Sequence, residues 1–265
     1  MGRTAFVTGA TSGIGKATAA ALLGRGYHVI GTSRTPARTA DPLPGVEYVE
    51  LDLTSPESVE SVAEAVATAD VLVNNAGESQ SGPIEELPAD AVARLFQTNV
   101  FGPLRLTQLA TPAMRDRGYG RVVMVGSMLA SFPLAYRSSY VASKAALRGF
   151  ADAARHELSP FGVWVTTVEP GAIATGISDR RTSYLNPGSP HERDFTTMLN
   201  ALRRNEEAGT TPAKVAQTIV TAIEARRPKR SYAIGSGAPY VFAVRRLAPA
   251  GFIEKLTQRR HDLQR

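Results

Sequence analysis

Short apolar segments alternate with longer helical patterns along most of this chain. The apolar segments are bounded by turn residues and rich in β-formers, as buried strands are, and they lie at 3–8, 27–32, 46–51, 70–74, 121–126, 162–168 and about 231–235. Helical stretches lie between them, at about 14–24, 56–68, 88–115, 138–159 and 212–226. This alternation predicts an α/β fold in which helices cover both faces of a doubly wound parallel sheet of about seven strands.

Glycine-rich or polar motifs follow six of these strands. Right-handed crossovers bring the carboxyl ends of parallel strands, with the loops that follow them, to one edge of the sheet. In chain order the motifs are Gly9–Gly15, Arg34, Asp52, Asn74–Gly77, Ser127 and Pro170–Thr175. We therefore expect a single functional site at this edge.

The first motif is a glycine turn between a strand and a helix, T-G-A-T-S-G-I-G, with Gly9, Gly13 and Gly15. Glycines allow the backbone to approach a pyrophosphate, and the helix N-terminus offers N–H donors and a positive dipole end. The pattern predicts a mononucleotide-binding unit, although a glycine turn without a ligand would look the same.

The second strand ends with Ser33 and Arg34, where an acidic residue would bind the ribose 2′-hydroxyl of NAD. An arginine fork suits the 2′-phosphate of NADP instead, and a carboxylate would repel it. Arg38 is placed to assist. The alternative is that Arg34 is an ordinary solvated arginine.

Tyr140 and Lys144 are four residues apart, and Ser127 precedes the tyrosine by thirteen residues. On a helix the two side chains share one face. A free tyrosine has a pKa of about 10 and is a poor acid at neutral pH, and a neighbouring cation lowers such a pKa. The pair therefore indicates a proton donor, although a helix-surface pair without function has the same spacing.

Together these residues resemble the short-chain dehydrogenase/reductase family. The resemblance rests on T-G-A-T-S-G-I-G, D-L-T at 52–54, N-N-A-G at 74–77, Asn99, Ser127, Tyr140, Lys144 and P-G-A-I-A-T at 170–175, and it covers residues 3 to about 175. It implies a single Rossmann-like domain over 1–265 and hydride transfer between a nicotinamide and a carbonyl or secondary alcohol.

The resemblance implies an NADP(H) site built from Gly9, Ser12, Gly13, Ile14, Gly15, Ser33, Arg34, Asp52, Leu53, Asn75, Ala76, Gly77, Tyr140, Lys144, Pro170, Gly171, Ile173 and Thr175. Asp52 would bind the adenine amino group. The Asn75–Gly77 turn would line the adenine ribose, although it could be purely structural. Ile173 and Thr175 would hold the nicotinamide carboxamide.

It also implies a catalytic set of Asn99, Ser127, Tyr140 and Lys144. Ser127 would bind the carbonyl oxygen and Tyr140 would protonate it. Lys144 would assist the tyrosine and hold the nicotinamide ribose. Asn99 would hold a water that links Lys144 to solvent.

Substrate contacts are expected from Ser127, Met128 and Tyr140, and from a long segment at about 176–210 that is placed to act as a lid. Phe195 and Met198 have helical spacing there and would contact an apolar, fairly bulky ketone or aldehyde. The alternative is that these residues only pack.

Composition narrows the function classes. The net charge of +6 is unevenly distributed along the chain. Residues 226–265 contain ten Lys or Arg and two Asp or Glu, whereas the rest of the chain contains 20 Lys or Arg and 22 Asp or Glu. The chain has no cysteine and four scattered histidines, so we expect no metal site. No DNA- or RNA-recognition motif accompanies the basic tail, so nucleic acid is not an expected partner. The absence of a signal peptide or an apolar span predicts a cytoplasmic protein.

The remaining expectations concern assembly. Family members often pair the two long helices with their symmetry mates, and the chain offers Leu95, Phe96, Leu106, Leu109 and Met114 on one helix and Ala146, Phe150, Ala153, Ala154 and Leu158 on the other. This predicts a homodimer or homotetramer. The basic tail, about 236–265, could cover a second interface or touch an anionic membrane surface weakly.

Two other functions remain open at this point. One is an NAD-dependent alcohol dehydrogenase that acts in the oxidative direction, which Arg34 disfavours. The other is a non-catalytic NADP(H)-sensing protein, which would be expected to lack Tyr140 or Lys144.

Overall fold

The computed structural model describes residues 2–174, 176, 180–238 and 240–263. Its strands are β1 (Thr4–Val7), β2 (His28–Ser33), β3 (Val46–Glu50), β4 (Val71–Asn74), β5 (Gln80–Ser81), β6 (Gly120–Val125), β7 (Val163–Pro170), β8 (Thr182–Ser183) and β9 (Ser231–Ile234). Its α-helices are α1 (Gly13–Leu23), α2 (Pro56–Ser61), α3 (Ala63–Thr68), α4 (Ala89–Phe96), α5 (Gly102–Asp116), α6 (Ser138–Leu158), α7 (Glu192–Glu207), α8 (Pro212–Glu224), α9 (Tyr240–Leu247) and α10 (Ala250–Arg259).

Seven strands form one parallel sheet in the order β3-β2-β1-β4-β6-β7-β9. The chain runs outward from β1 to β3 and then returns to place β4 beside β1. This reversal makes a crevice at the carboxyl ends of β1 and β4, where doubly wound folds bind ligands. Strands β5 and β8 form a separate two-stranded ribbon.

Successive residues of each strand point to opposite faces of the sheet, and this produces two cores. Phe6, Leu72 and Met124 pack with α3, α5 and α6 on one face. Val7 and Val73 pack with α1 and α8 on the other. Burial on both faces explains why the strands read as continuous apolar runs.

The predicted fold class is confirmed, because each of the seven expected strands is present within two residues of its predicted bounds. Two predicted helices are interrupted. The helix expected at 56–68 breaks at Val62 into α2 and α3. The helix expected at 88–115 contains a π-helical turn, Gln97–Phe101.

The π-helical turn has a local cause. Pro103 has no N–H, so the carbonyl of Asn99 has no partner four residues ahead. The chain widens instead, and Gly102 N–H donates to the carbonyl of Gln97, five residues back. Such turns are frequent at functional sites, and this one contains Asn99.

The predicted dimer helices contribute fewer free apolar side chains than expected. Leu95, Leu106 and Met114 are fully buried in the chain's own core, so they cannot form an interface. Phe101 and Phe150 remain exposed, with 51% and 43% of their surface accessible. The homodimer or homotetramer stays a prediction, with these two phenylalanines as its candidate contacts.

The basic tail forms two amphipathic helices, α9 and α10, which are not among the predicted helices. Among the described residues, no helix combines the length and apolarity that a membrane crossing requires.

Gly15 provides a test of the close approach between α1 and β1. A Cβ at this position would lie 2.1 Å from the Gly9 carbonyl oxygen, so we expect Gly15→Ala to lower the free energy of unfolding by about 1–3 kcal/mol. Gly149→Ala in α6 is the matched control, because a Cβ there meets nothing within 4 Å. The control should stabilise the protein slightly, as alanine does in a helix interior. Equal denaturation midpoints for the two variants would contradict the packing described.

Candidate active site

A cleft of about 940 Å³ opens at the carboxyl edge of the sheet. It brings together most residues that the sequence analysis assigns to the site, namely Gly9, Ser12, Gly13, Ile14, Ser33, Arg34, Asp52, Leu53, Asn75, Ala76, Gly77, Ser127, Met128, Tyr140, Lys144, Pro170, Gly171 and Ile173. Gly15 lies beneath Gly9, outside the lining. Thr175 lies outside the described residues.

The glycine turn leaves an uncapped helix end in the cleft. Gly9 and Gly13 have φ values of 67° and 53°, in the region that favours glycine. Ser12 occupies the N-cap of α1, yet its side chain makes no capping hydrogen bond. Its hydroxyl instead accepts from Arg180 Nη1 at 3.0 Å. The first-turn N–H groups of α1 can therefore bind an anion.

Thr8 joins this turn to the loop after β4. Its hydroxyl accepts hydrogen bonds from the backbone N–H groups of Asn75 and Ala76, both at 2.9 Å. The Asn75 amide donates to the Thr8 carbonyl at 2.9 Å. The N-N-A-G turn is thus a structural element that also lines the cleft.

Arg34 lies exposed on the cleft rim after β2, and no described residue forms a hydrogen bond or ion pair with it. Arg38 lines the same part of the cleft. Asp52 is held by Thr54, whose N–H and hydroxyl both donate to Asp52 Oδ1. The second carboxylate oxygen remains available to a ligand.

Tyr140 and Lys144 lie on one face of α6, as their spacing predicts, and both are buried. Lys144 Nζ is 5.8 Å from the centroid of the Tyr140 ring and donates to the Val125 carbonyl at 3.0 Å. Ser127 begins the turn after β6, and its hydroxyl accepts from Leu129 N–H at 3.2 Å. All three side chains line the cleft.

Asn99 lies behind this group, in the π-helical turn. Its Oδ1 accepts from Glu78 N–H at 2.8 Å, and its Nδ2 donates to the Glu78 carbonyl and the Ser143 hydroxyl, each at 3.1 Å. The amide is therefore engaged on both sides. A water held by Asn99 would have to bind its backbone carbonyl.

The loop after β7 is fixed by two later segments. Ala174 N–H donates to the Thr210 carbonyl at 3.1 Å, and Ala172 N–H donates to the Ser236 hydroxyl at 2.9 Å. These contacts hold Pro170–Ile173 against the cleft.

Several apolar side chains, which we call the apolar wall, line the cleft, and half of them come from the basic tail. Met128, as predicted, and Leu129, Phe132 and Leu202 line it together with Val241, Val244, Ile253 and Leu256 from α9 and α10. The tail therefore contributes to the cleft. The helical spacing of Val241 with Val244, and of Ile253 with Leu256, is the signal that could have located it.

The expectation that Phe195 and Met198 contact substrate is not supported. Both are buried and pack with Leu134, Leu202 and Leu263, away from the cleft surface. The segment is helical, as its spacing indicates, but its apolar side chains pack into the protein core. Only Leu202 of this stripe also reaches the cleft.

A buried polar group beside Tyr140 is absent from the sequence expectations. Arg137 and Glu206 line the cleft there, and Arg181 forms an ion pair with Glu206. Burial, with a smaller contribution from Arg181, lowers the pKa of Arg137 to about 10. Burial also lowers the pKa of His261, which lines the cleft nearby. The sequence clue is that Arg137 precedes Tyr140 by three positions, so that the two side chains are about one helical turn apart.

Comparison with known proteins agrees with this geometry. The family of short chain dehydrogenases matches residues 3–185. The chain is 33% identical to the uncharacterized oxidoreductase YusZ of Bacillus subtilis, over 97% of this chain and 98% of that protein.

Two solved structures are similar over almost the whole chain. A short-chain dehydrogenase from Streptomyces avermitilis has a TM-score of 0.80 and 33% identity, and covers 97% of this chain and 98% of its own. A short chain dehydrogenase from Burkholderia cenocepacia in complex with NADP has a TM-score of 0.76 and 28% identity, and covers 96% of each chain.

Proposed function

Because the chain belongs to the short-chain dehydrogenase family of oxidoreductases, we propose that it transfers a hydride between NADP(H) and a carbonyl or secondary alcohol of an apolar substrate. The observation that carries this proposal is the convergence of Ser127, Tyr140 and Lys144 on one cleft. The anion-binding end of α1 opens into the same cleft.

The described residues fit a dinucleotide. The uncapped N–H groups after Ser12 would bind the pyrophosphate, and Arg180 adds positive charge beside them. Asp52 and Leu53 would bind the adenine, and Asn75–Gly77 would line its ribose. Pro170, Gly171 and Ile173, with Thr175 as a further expectation, would hold the nicotinamide end.

The preference for NADP(H) rests on Arg34. Its guanidinium is exposed at the cleft rim, and no described residue competes for its N–H groups. A 2′-phosphate can accept two parallel hydrogen bonds from such a fork. The similar Burkholderia protein, which binds NADP, supports this choice.

The protein's part in the reaction is to place the carbonyl and supply a proton. The nicotinamide cofactor supplies the hydride. Ser127 would donate a hydrogen bond to the carbonyl oxygen, and Tyr140 would protonate that oxygen as negative charge develops. Lys144, whose Nζ lies 5.8 Å from the centroid of the Tyr140 ring, would assist the tyrosine and hold the nicotinamide ribose. The carbonyl of Asn99 would hold the water that returns the proton.

The apolar wall supports an apolar, fairly bulky ketone or aldehyde. The aliphatic and aromatic side chains that line the cleft come from four segments, which are the loop after β6 and the helices α7, α9 and α10. Burial of a substrate chain against them is favourable by about 25 cal/mol per Å² of apolar surface.

Two alternatives are weaker. An NAD-dependent oxidative dehydrogenase would favour an acidic residue at Ser33 or Arg34. A non-catalytic NADP(H)-sensing protein would need neither Tyr140 nor Lys144 in the cleft, and both are there.

Tyr140 provides the first test of the mechanism. Tyr140→Phe removes only the phenol hydroxyl, so we expect kcat to fall by about 10²- to 10⁴-fold while the Kd for NADPH stays nearly constant. Lys144→Ala should lower kcat and also weaken NADPH binding. Tyr240→Phe is the matched control, because Tyr240 is exposed on α9 and outside the cleft lining. Substantial turnover by the Tyr140→Phe protein would assign the proton to another group.

Arg34 provides a test of cofactor choice. We expect Arg34→Asp to weaken NADPH binding by about 10- to 100-fold, because charged hydrogen bonds are worth about 1.5–3 kcal/mol, and to change NADH binding far less. Fluorescence titration of both cofactors measures the difference. Arg115→Asp, an exposed charge reversal outside the cleft, controls for net charge. An equal loss for both cofactors would refute the assignment.

Leu202 provides a test of the apolar wall. Leu202→Ala should raise KM for long-chain ketones by about 5- to 30-fold, from the loss of about 1–2 kcal/mol of apolar contact, and should spare acetone. Leu199→Ala is the control from the same helix, because Leu199 packs on the neighbouring core without lining the cleft. An unchanged substrate ranking in the Leu202 variant would mean that α7 only packs.

A further inference from the structure

Arg137 is a buried cation next to the candidate proton donor. Only 3% of its surface is exposed, yet it lines the cleft. Its guanidinium carbon lies 4.3 Å from the centroid of the Tyr140 ring. Buried charges are ordinarily paired, but among the described residues no carboxylate forms a salt bridge with Arg137.

All the side-chain hydrogen bonds that Arg137 makes with the described residues come from one of its three guanidinium nitrogens, Nη1. Its Nη1 donates to the Ser79 hydroxyl, the Gln80 carbonyl and the Ser81 hydroxyl, each at 3.0 Å. Its Nε is buried without a partner, and Nη2 donates to none of the described residues. Among the described residues, the buried Nε–H therefore lacks an acceptor, and the two Nη2 N–H groups are left for a ligand or for solvent.

Arg137 and the two charged residues that act on it, Arg181 and Glu206, together carry one positive charge in excess. Arg181 is neutralised by its ion pair with Glu206. Arg137 keeps its proton at neutral pH, since burial lowers its pKa only to about 10. Burial lowers the pKa of His261 and so favours its neutral form. An excess of one charge suits a monoanion better than a phosphate dianion.

The backbone holds Arg137 in this place at a cost. Tyr136, the preceding residue, has φ of 63°, which is strained for a bulky side chain. Its ring packs edge-on against Phe195 and His191, with centroids 5.7 and 5.8 Å apart. Arg137, which lines the cleft, follows directly on this strained residue.

We propose that Arg137 binds a carboxylate of the substrate, and that this enzyme therefore acts on oxo acids with an apolar chain. This inference rests on the proposed function and adds the substrate class. The carboxylate would lie within a few atoms of the carbonyl, because Arg137 and the proton donor Tyr140 are stacked. The apolar chain would then extend along Leu129, Val241 and Leu256.

A matched pair of substrates tests the proposal. 4-Oxononanoate and 3-octanone differ only by the carboxylate, and both can be assayed with NADPH. We expect the wild-type protein to have the higher kcat/KM for the oxo acid. Arg137→Met should reduce the ratio of the two kcat/KM values by about 10- to 100-fold, as expected for loss of a charged hydrogen bond. Arg137→Lys should lose less, because it keeps the charge without the fork.

The ratio is independent of how much enzyme is folded, so it remains informative if a variant is unstable. Arg121→Met is the control for loss of a buried arginine, since Arg121 also donates to backbone carbonyls but lies outside the cleft lining. This control should leave the ratio unchanged. An equal loss for both substrates in Arg137→Met would overturn the proposal and leave Arg137 as a residue that positions Tyr140 or the fold.

A binding measurement separates this inference from the proposed function. Octanoate, which has no keto group, is titrated calorimetrically into the protein with NADP present. Binding by the wild type and its loss in Arg137→Met would support the anion site even if no ketone is reduced. Reduction of 3-octanone without octanoate binding and without preference for the oxo acid would overturn the inference while the proposed function stands.

Discussion

The contact between Thr8 and the Asn75–Ala76 backbone is the constraint on which the rest of the site depends. It joins the carboxyl ends of β1 and β4, the two strands between which the chain reverses direction across the sheet. Because the hydroxyl accepts from two backbone N–H groups, it fixes the glycine turn and the loop after β4 as one rigid unit. The crevice between them stays open, and every other functional loop borders it.

Beyond the glycine turn, the cleft combines apolar and charged side chains. Ser127, Tyr140 and Lys144 line it together with apolar side chains from the loop after β6 and from α7, α9 and α10. Arg137 and Glu206 line it as well, and Arg181 forms an ion pair with Glu206. A molecule with one apolar and one polar end matches this combination better than a uniformly apolar one.

The sheet and the catalytic face could be predicted because their signals are local. Continuous apolar runs such as 70–74 identify buried strands, and the spacing of Tyr140 and Lys144 determines that they share a helix face. The π-helical turn at Asn99 could not be read from periodicity, because its cause is a single missing N–H at Pro103.

The remaining parts depend on tertiary contacts. Phe195 and Met198 have the pattern of an apolar stripe, but a stripe does not say whether it faces a ligand or the protein core. Arg137 has no sequence signal beyond its position, because its importance arises from burial against Ser79 and Ser81. The tail is rich in Lys and Arg, and this composition does not indicate that apolar residues such as Val241 and Leu256 would line the cleft.

Isotope transfer is the most direct measurement of the central claim, that the Tyr140 cleft supports hydride transfer from NADPH to a carbonyl carbon. NADPH carrying deuterium at both C4 positions of the nicotinamide is incubated with the protein and 3-octanone, and the alcohol product is analysed by mass spectrometry. The account predicts one deuterium at the carbinol carbon, absent when Tyr140 is replaced by Phe. Tight binding of NADPH without any deuterium in the product from a panel of ketones and oxo acids would contradict it.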